Sequence, residues 1–422
     1  MPNKLSLTQF FTVIIGNIFE WYEFSLFAYF ASQISAQFFP NENKLVSLLQ
    51  VFGVFAVGYL MRPIGALYFG YQGDKLGRKK MLSLSMMIMA SATTVIGLIP
   101  SYQSIGILAP VLLIACRMVQ GFVLGGEYSG AVVYLIEQSA KPFRNLWGSM
   151  PLFGCYAGML LGSFVSAVVS HFLSGTEYYA YAWRCCFIIA SGFGLLGVYI
   201  RNFLPESLEF KESFQKKILV SNPLKVLFKN HFVKVLLGTG VTLLPAVTSY
   251  ILLTYLPTHL TQFGNLSLPQ ALYLNTGVIL VMLFIIPLVG IGSERLGKSF
   301  FLYSSALGIG CVSLWAFHIF NLSSLKLVFL AQIMIALLSC FSEAIIPIFL
   351  AQLFPVSVRY SGIALCLNLA NGIFGGTAPL VATWLIIKTH NTAAPAYYLM
   401  AVAVVAFCSL IGLRSVLKQK FI

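Results

Sequence analysis

The sequence predicts an all-α membrane protein of twelve transmembrane helices arranged as two six-helix, pseudo-symmetric bundles. Three observations carry that expectation. Hydrophobic residues make up 59% of the 422 and charged residues only 9%, where soluble domains carry about 25% charged residues. Apolar runs of about 20 residues, the length that crosses a bilayer, recur along the whole chain. Finally, the loops in the second half repeat those in the first.

The elements follow in order as apolar runs bounded by charge clusters, Pro and Gly: 10–36, 45–70, 81–99, 107–137, 146–172, 182–203, 232–262, 271–292, 299–319, 326–352, 361–387 and 396–414. The first run resembles a signal peptide after Lys4, but it continues through Glu20 and Glu23 into a full span and is expected to be retained. The long polar segment 204–231, with Pro205 and Pro223, separates six spans from six. The expected organisation is therefore residues 1–203 as one bundle, 204–231 as a cytoplasmic loop and 232–422 as the second bundle.

Charge sets the orientation. The formal net charge is +14, which in a soluble domain would suggest nucleic acid. Here, of the 26 Lys and Arg, twenty fall on one side of the span map, Arg201 among them. Four fall on the other (Lys44, Arg184, Lys326, Lys388), and Arg62 and Arg117 lie inside spans. Basic loops stay cytoplasmic, so both termini are placed in the cytoplasm and no nucleic-acid partner is expected. The eight cysteines lack C-x-x-C spacing and read as packing residues, with no metal site. Histidines 171, 231, 259, 318 and 390 fall at span ends or in loops and read as interfacial.

The two halves echo each other. Gly70-Tyr-Gln-Gly-Asp74-Lys75-Leu-Gly77-Arg78 follows span 2, and Gly290-Ile-Gly-Ser-Glu294-Arg295-Leu-Gly297-Lys298 follows span 8 in the same register. Glu137 and Arg144 stand seven residues apart between spans 4 and 5, as Gln352 and Arg359 do between spans 10 and 11. Duplicated six-helix halves mark a common transporter plan, with the ligand site at mid-membrane.

Gly70-x-x-x-Asp74-Lys75-x-Gly77-Arg78-Lys79-Lys80 resembles the loop signature of the major facilitator superfamily. Further stretches resemble its metabolite–proton symporter branch, bacterial importers of proline, betaine, shikimate, citrate and α-ketoglutarate. They are Gly16-Asn17-x-x-Glu20-Trp21-Tyr22-Glu23-Phe24, Arg62-Pro63-x-Gly65, Arg117-x-x-Gln120-Gly121-x-x-x-Gly125-Gly126-Glu127-Tyr128, and Phe354-Pro355-x-x-x-Arg359-Tyr360-x-Gly362. The resemblance implies the major facilitator fold, a bacterial inner-membrane location and proton-coupled uptake by alternating access. The proton would be the coupling ion and no cofactor would be needed; a monomer in the lipid bilayer is expected. Two positions depart from the pattern: Glu23 stands where Asp is usual, and Gln352 where an acid is usual.

Six ionisable residues sit well inside spans: Glu20, Glu23, Arg62, Arg117, Glu127 and Glu343. Each costs at least about 2.5–3.5 kcal/mol at bilayer centre on insertion scales, so they need partners, water or a change of protonation. Asn17, Glu20 and Glu23 form a polar stripe on span 1. Arg117, Gln120, Glu127 and Tyr128 share a face of span 4, with Gly121 and Gly125 on an adjacent face suited to close packing. Glu20, Glu23, Arg117 and Glu127 are the expected proton-coupling group, one span 1 carboxylate exchanging Arg117 for a proton. The competing reading is a static ion-pair network that fixes helix register.

Arg62 and Arg117 can each clamp a carboxylate, and Trp21, Tyr22 and Tyr128 can cage an ammonium by cation–π contact. Gln120 joins them, and the C-terminal half offers Tyr250, Glu343, Asn368 and Asn371. Both features together suit a zwitterion such as proline or betaine; Arg alone would suit a di- or tricarboxylate. Pro245, Pro287 and Pro347 are expected to interrupt helices. By resemblance, Asp74, Arg78, Glu137, Arg144 and Arg359 form a cytoplasmic gate that latches the outward-open state.

Exporters of this superfamily often carry Gly-Pro in span 5. Here Gly158 has no Pro after it, which favours uptake over the alternative, a proton-driven exporter of a metabolite, siderophore or drug. No H-E-x-x-H, G-x-S-x-G or phosphate loop is present, so no catalytic residue and no enzyme is expected.

Overall fold

The computed structural model describes residues 7–40, 44–139, 143–173, 179–216 and 220–417, and they contain no strand. Lys4, Lys141, Lys217, Lys418 and Lys420, sorted above to the cytoplasmic side, lie outside the described residues, as do both termini. The helices of the first half are α1 (Leu7–Tyr29), α2 (Ala31–Phe38), α3 (Lys44–Leu76), α4 (Arg78–Leu98), α5 (Tyr102–Ile105), α6 (Leu108–Gln138), α7 (Arg144–Leu173) and α8 (Tyr179–Arg201). The polar segment between the halves holds α9 (Leu208–Gln215) and α10 (Pro223–Asn230). Then come α11 (Phe232–Ser249), α12 (Leu256–Gln262), α13 (Leu268–Leu296), α14 (Lys298–Phe320), α15 (Leu325–Glu343), α16 (Ile346–Leu353), α17 (Arg359–Asn368), α18 (Gly376–Thr389) and α19 (Ala394–Leu417).

Ten helical stretches among the described residues are long and apolar enough to cross a membrane. With 23 and 33 residues, α1 and α3 have the length of a span as well. The expected span 1 is broken at Phe30 (φ −98°, ψ 16°), which parts α1 from α2. Span 10 is broken between Glu343 and Ile346, with Pro347 in the first turn of α16. Pro245 and Pro287, by contrast, do not interrupt their helices; both lie inside continuous α11 and α13. Inside a membrane, local adjustment and neighbouring side chains re-satisfy the carbonyl a Pro leaves free. The irregular turns are π-helical instead, at Tyr250–Tyr255 and Leu369–Gly375. Such turns concentrate at functional sites.

The chain forms two compact units. One comprises Met1–Gln138, Gly154–Pro223 and Val356–Ala364; the other comprises Ser139–Phe153, Leu224–Pro355 and Leu365–Ile422. In the first unit, Phe27, Phe30, Phe38, Leu113, Trp183 and Phe187 build an apolar core, and α3 crosses α6 backbone to backbone. A Cβ on Gly65 would fall 1.7 Å from the Phe122 carbonyl oxygen, and one on Gly121 would fall 1.8 Å from that of Gly58. On Gly125 it would meet the Arg62 carbonyl at 2.2 Å. The packing role expected of Gly121 and Gly125 holds, and this contact sets the backbone of Arg62 on α3 against the glycine face of α6, next to the face that carries Arg117 and Glu127. Gly121→Ala is expected to force the two backbones apart at a cost of about 1–3 kcal/mol, measured as a lowered melting temperature in detergent; an unchanged melting temperature would contradict the crossing. In the second unit, α11 packs on α19 and on the Leu369–Gly375 turn, and α14 packs on α15 and α19.

Candidate functional site

Within the first unit, α1 and α6 bring three carboxylates to one chamber. Glu20, Glu23 and Glu127, with Met86 and Met89 of α4, line a cavity of about 10 Å³. All three acids are at most 4% exposed. The Oε2 atom of Glu23 accepts a hydrogen bond from the Thr93 hydroxyl at 2.7 Å. That hydroxyl accepts from the Gln120 amide at 2.8 Å, and Gln120 Oε1 accepts from Arg117 Nη1 at 2.8 Å. The route from Glu23 to Arg117 therefore runs through two side chains, where the sequence suggested a direct pair. The Arg117 guanidinium is itself stacked on Phe24 and Phe27, at 4.5 and 4.2 Å from the ring centres.

Arg201 is the residue that sequence reasoning missed. Sorted above with the cytoplasmic loops, it is fully buried at the end of α8. It pairs with Glu127 at 2.5 Å and donates to the Leu82 carbonyl at 2.7 Å, while Ser85 donates to the other Glu127 oxygen. Gly16 makes room for it: a Cβ there would lie 2.2 Å from Arg201 Nη2. The signal was present in the sequence, since Arg201 closes an apolar run with no second charge beside it.

Of the candidate substrate contacts, Arg62 is buried and lies 5.6 Å over the Tyr59 ring. Trp21 meets Phe24 edge-on at 6.0 Å, and Tyr128 is half-buried. Tyr22 is corrected: it is packed in the apolar core with Phe27 and Trp183 rather than forming part of a cage, because its ring falls on the α1 face turned toward α8. In the second unit, Glu343 accepts from Ser339 at 2.8 Å and from Ser249. Tyr250 opens the first π-helical turn, and Asn368, buried, immediately precedes the second. Asn371 donates to the Leu367 carbonyl of its own helix at 2.8 Å. Of the histidines read as interfacial, His259 is instead fully buried among Tyr255, Phe263 and Phe317; the side chain of His171 lies outside the described residues.

Four of the five gate residues come together in the first unit. Glu137 accepts from Arg78 Nε and Nη2, both at 3.0 Å, from Arg359 at 3.1 Å and from Ser207 at 2.5 Å. Asp74 stands 3.4 Å from Arg78 and accepts from the backbone N–H groups of Tyr360 and Ser361 at 3.0 and 2.9 Å, capping the start of α17. Arg144 is corrected: it belongs to the second unit, beside Glu294. There Glu294 accepts from the Asn145 N–H at 2.6 Å, so the acid of each sequence repeat caps a helix start. Gly77 and Gly297 close both repeats with φ of +105° and +81°, a region that favours glycine. Sequence reasoning also missed Glu206 and Glu209 in the polar segment. Glu206 accepts from the Arg78 N–H at 2.9 Å, and Glu209 accepts from Arg359 at 2.5 Å.

Comparison with known proteins finds relatives over most of the chain. A profile described as "Major Facilitator Superfamily" matches residues 13–322. The "Proline/betaine transporter" of Salmonella typhimurium (strain LT2) is 34% identical over 411 residues, which is 95% of this chain and 82% of the relative. The "Glycine betaine/proline/ectoine/pipecolic acid transporter OusA" of Dickeya dadantii (strain 3937) is 34% identical, covering 93% and 80%. Among solved structures, a double Trp mutant of XylE aligns with a TM-score of 0.80 at 15% identity, covering 95% and 94% of the two chains. The human organic anion transporter MFSD10 aligns at 0.71 and 14%, covering 95% and 98%.

Proposed function

The chain belongs to the major facilitator superfamily, and from that membership we propose that it imports a small zwitterionic metabolite of the proline or betaine type, coupled to protons and working by alternating access. It is a multi-pass membrane transporter and not an enzyme. The observation that carries the proposal is the hydrogen-bonded string Glu23–Thr93–Gln120–Arg117. A substrate carboxylate that takes the donors of Arg117 competes with Gln120 Oε1 for them. Release of Gln120 then alters the hydrogen bond that Thr93 gives Glu23, so substrate occupancy and the proton on Glu23 become linked. Nearby charge and hydrogen bonding are two of the three influences that set such a proton's affinity.

Arg62 and Gln120 complete the carboxylate-binding group, and Trp21 and Tyr128 offer ring faces to the cationic end. Glu343, held by Ser249 and Ser339, with Tyr250, Asn368 and Asn371, supplies the polar contacts of the C-terminal half. Asp74, Arg78, Glu137 and Arg359 form the latch, and Arg144 acts with Glu294 in the corresponding place. Cytoplasmic termini, a bacterial inner membrane and a monomer belong to the same proposal. The names of the relatives favour a zwitterion over a di- or tricarboxylate, and Gly158 without a following Pro favours uptake over export.

Counterflow in proteoliposomes tests this. Labelled proline and glycine betaine are expected to exchange, and citrate and α-ketoglutarate are not; proline uptake is expected to acidify the lumen and to stop when an ionophore collapses the proton gradient. Exchange of the dicarboxylate alone would reject the zwitterion, and uptake indifferent to the ionophore would reject the coupling.

A further inference from the structure

We propose that Arg201 is the mobile counter-ion of a proton relay, paired with Glu127 while Glu20 holds the proton and with Glu20 once the proton has crossed to Glu127. This rests on the proton coupling proposed above and adds to it a residue and a direction. Glu20, Glu23 and Glu127 share one cavity of about 10 Å³, room for a single water. Glu20 is 4% exposed, and among the described residues neither of its carboxyl oxygens has a hydrogen-bond partner. An ionised carboxylate so placed costs far more than its neutral acid, so Glu20 carries the proton in this arrangement.

Arg201 is close at hand with a donor to spare. Its Nη2 meets Glu127 and its Nη1 meets the Leu82 carbonyl, while its Nε has no hydrogen-bond partner among the described residues. A guanidinium offers five donors in a rigid fork. This one lies against Gly16, four residues before Glu20 and therefore on the same face of α1. The charges that bear on Glu20 are Glu23 of its own helix, Arg62 of α3, Glu127 of α6 and Arg201 of α8. From α4, Met86 and Met89 face the chamber. The Tyr360 phenol lies near both Glu127 and Arg201.

In the proposed step, the O–H bond of Glu20 breaks as its proton passes to a water in the chamber, and that water gives a proton to Glu127, where a new O–H bond forms. Arg201 moves its ion pair from Glu127 to Glu20. The three groups carry the same total charge before and after, so no charge is created in a low-dielectric site, where it would be most costly. The direction is toward the latch, since the residue beside Glu127, Gly126, accepts the hydrogen bond of the Tyr360 hydroxyl.

Infrared spectroscopy of the purified full-length protein tests the relay without substrate. The protonated-carboxyl band at neutral pH is expected to lose one group in Glu20→Gln. It is expected to gain one in Arg201→Gln, where Glu127 loses its counter-ion, and to lose that one again when Glu127→Gln is added. Arg201→Lys, which keeps the cation should Arg201→Gln fold poorly, is expected to show the wild-type band. In proteoliposomes, proline-dependent proton influx should fall at least tenfold in Arg201→Gln. A band unchanged by Glu20→Gln would overturn the relay, and so would full proton influx restored by Arg201→Gln with Glu127→Gln, which would leave a static pair. Absence of any proline transport by the unaltered protein would refute the functional proposal instead, with the infrared result still deciding the relay.

Discussion

With Glu23 replaced by Gln, accumulation of labelled proline, the proposed substrate type, against its gradient is expected to fall to about one-fold while counterflow remains measurable. The amide keeps the shape of the acid, and its carbonyl can still accept the 2.7 Å hydrogen bond from Thr93, so the packing of α1 on α4 is preserved. The titratable proton is what disappears. The loss is large because the driving force is large: one charge moving through 100 mV gains about 2.3 kcal/mol, which at about 1.4 kcal/mol per tenfold sustains roughly a 50-fold gradient. Counterflow moves no net proton and therefore reports binding and conformational exchange alone. Labelled uptake with an imposed proton gradient, set beside counterflow in the same vesicles, reads both quantities. Undiminished uphill uptake by Glu23→Gln would remove Glu23 from the coupling step.

The helices were legible in the sequence because a bilayer imposes length and apolarity on every span. The run expected at 232–262 coincides with a continuous helical stretch, Phe232–Gln262. Intrahelical spacing was legible too: Gly121 and Gly125 form the close face of α6. What the sequence did not show is which charge meets which, because that depends on helix rotation and on depth in the membrane. Arg117 was matched to the span 1 acids by depth alone, yet Gln120 and Thr93 stand between. Arg201 was assigned by the same charge-counting that places Lys216, whose salt bridge to Glu212 is exposed at the end of α9 in the connecting segment. Counting charges by side cannot separate a basic residue at a span end that turns inward from one that turns outward. Glu206 and Glu209 were hidden for a related reason: a polar connecting segment carries many charges, and only the fold shows which of them reach back to Arg78 and Arg359.

Glu137→Ala is expected to have the larger effect on the proposed latch. Its carboxylate is 2% exposed and accepts from two arginines and a serine at once. Removing one member of a buried ion pair costs about 3–5 kcal/mol, because the remaining charge stays buried without compensation. If the latch holds the outward-open state, that cost falls on that state, shifting its population by about two to three and a half powers of ten at about 1.4 kcal/mol per tenfold. Asp74→Asn is the milder perturbation. Arg78 keeps Glu137, while the two backbone N–H groups of Tyr360 and Ser361 lose a charged acceptor, and one of them then faces an amide that donates. Cysteine cross-linking on the cytoplasmic side reads the populations: both variants should lose cross-links specific to the outward-open state, Glu137→Ala almost completely and Asp74→Asn in part. Equal, unchanged yields in both would mean that the cluster only holds its own helices together, because a latch must cost energy in one state and not in the other.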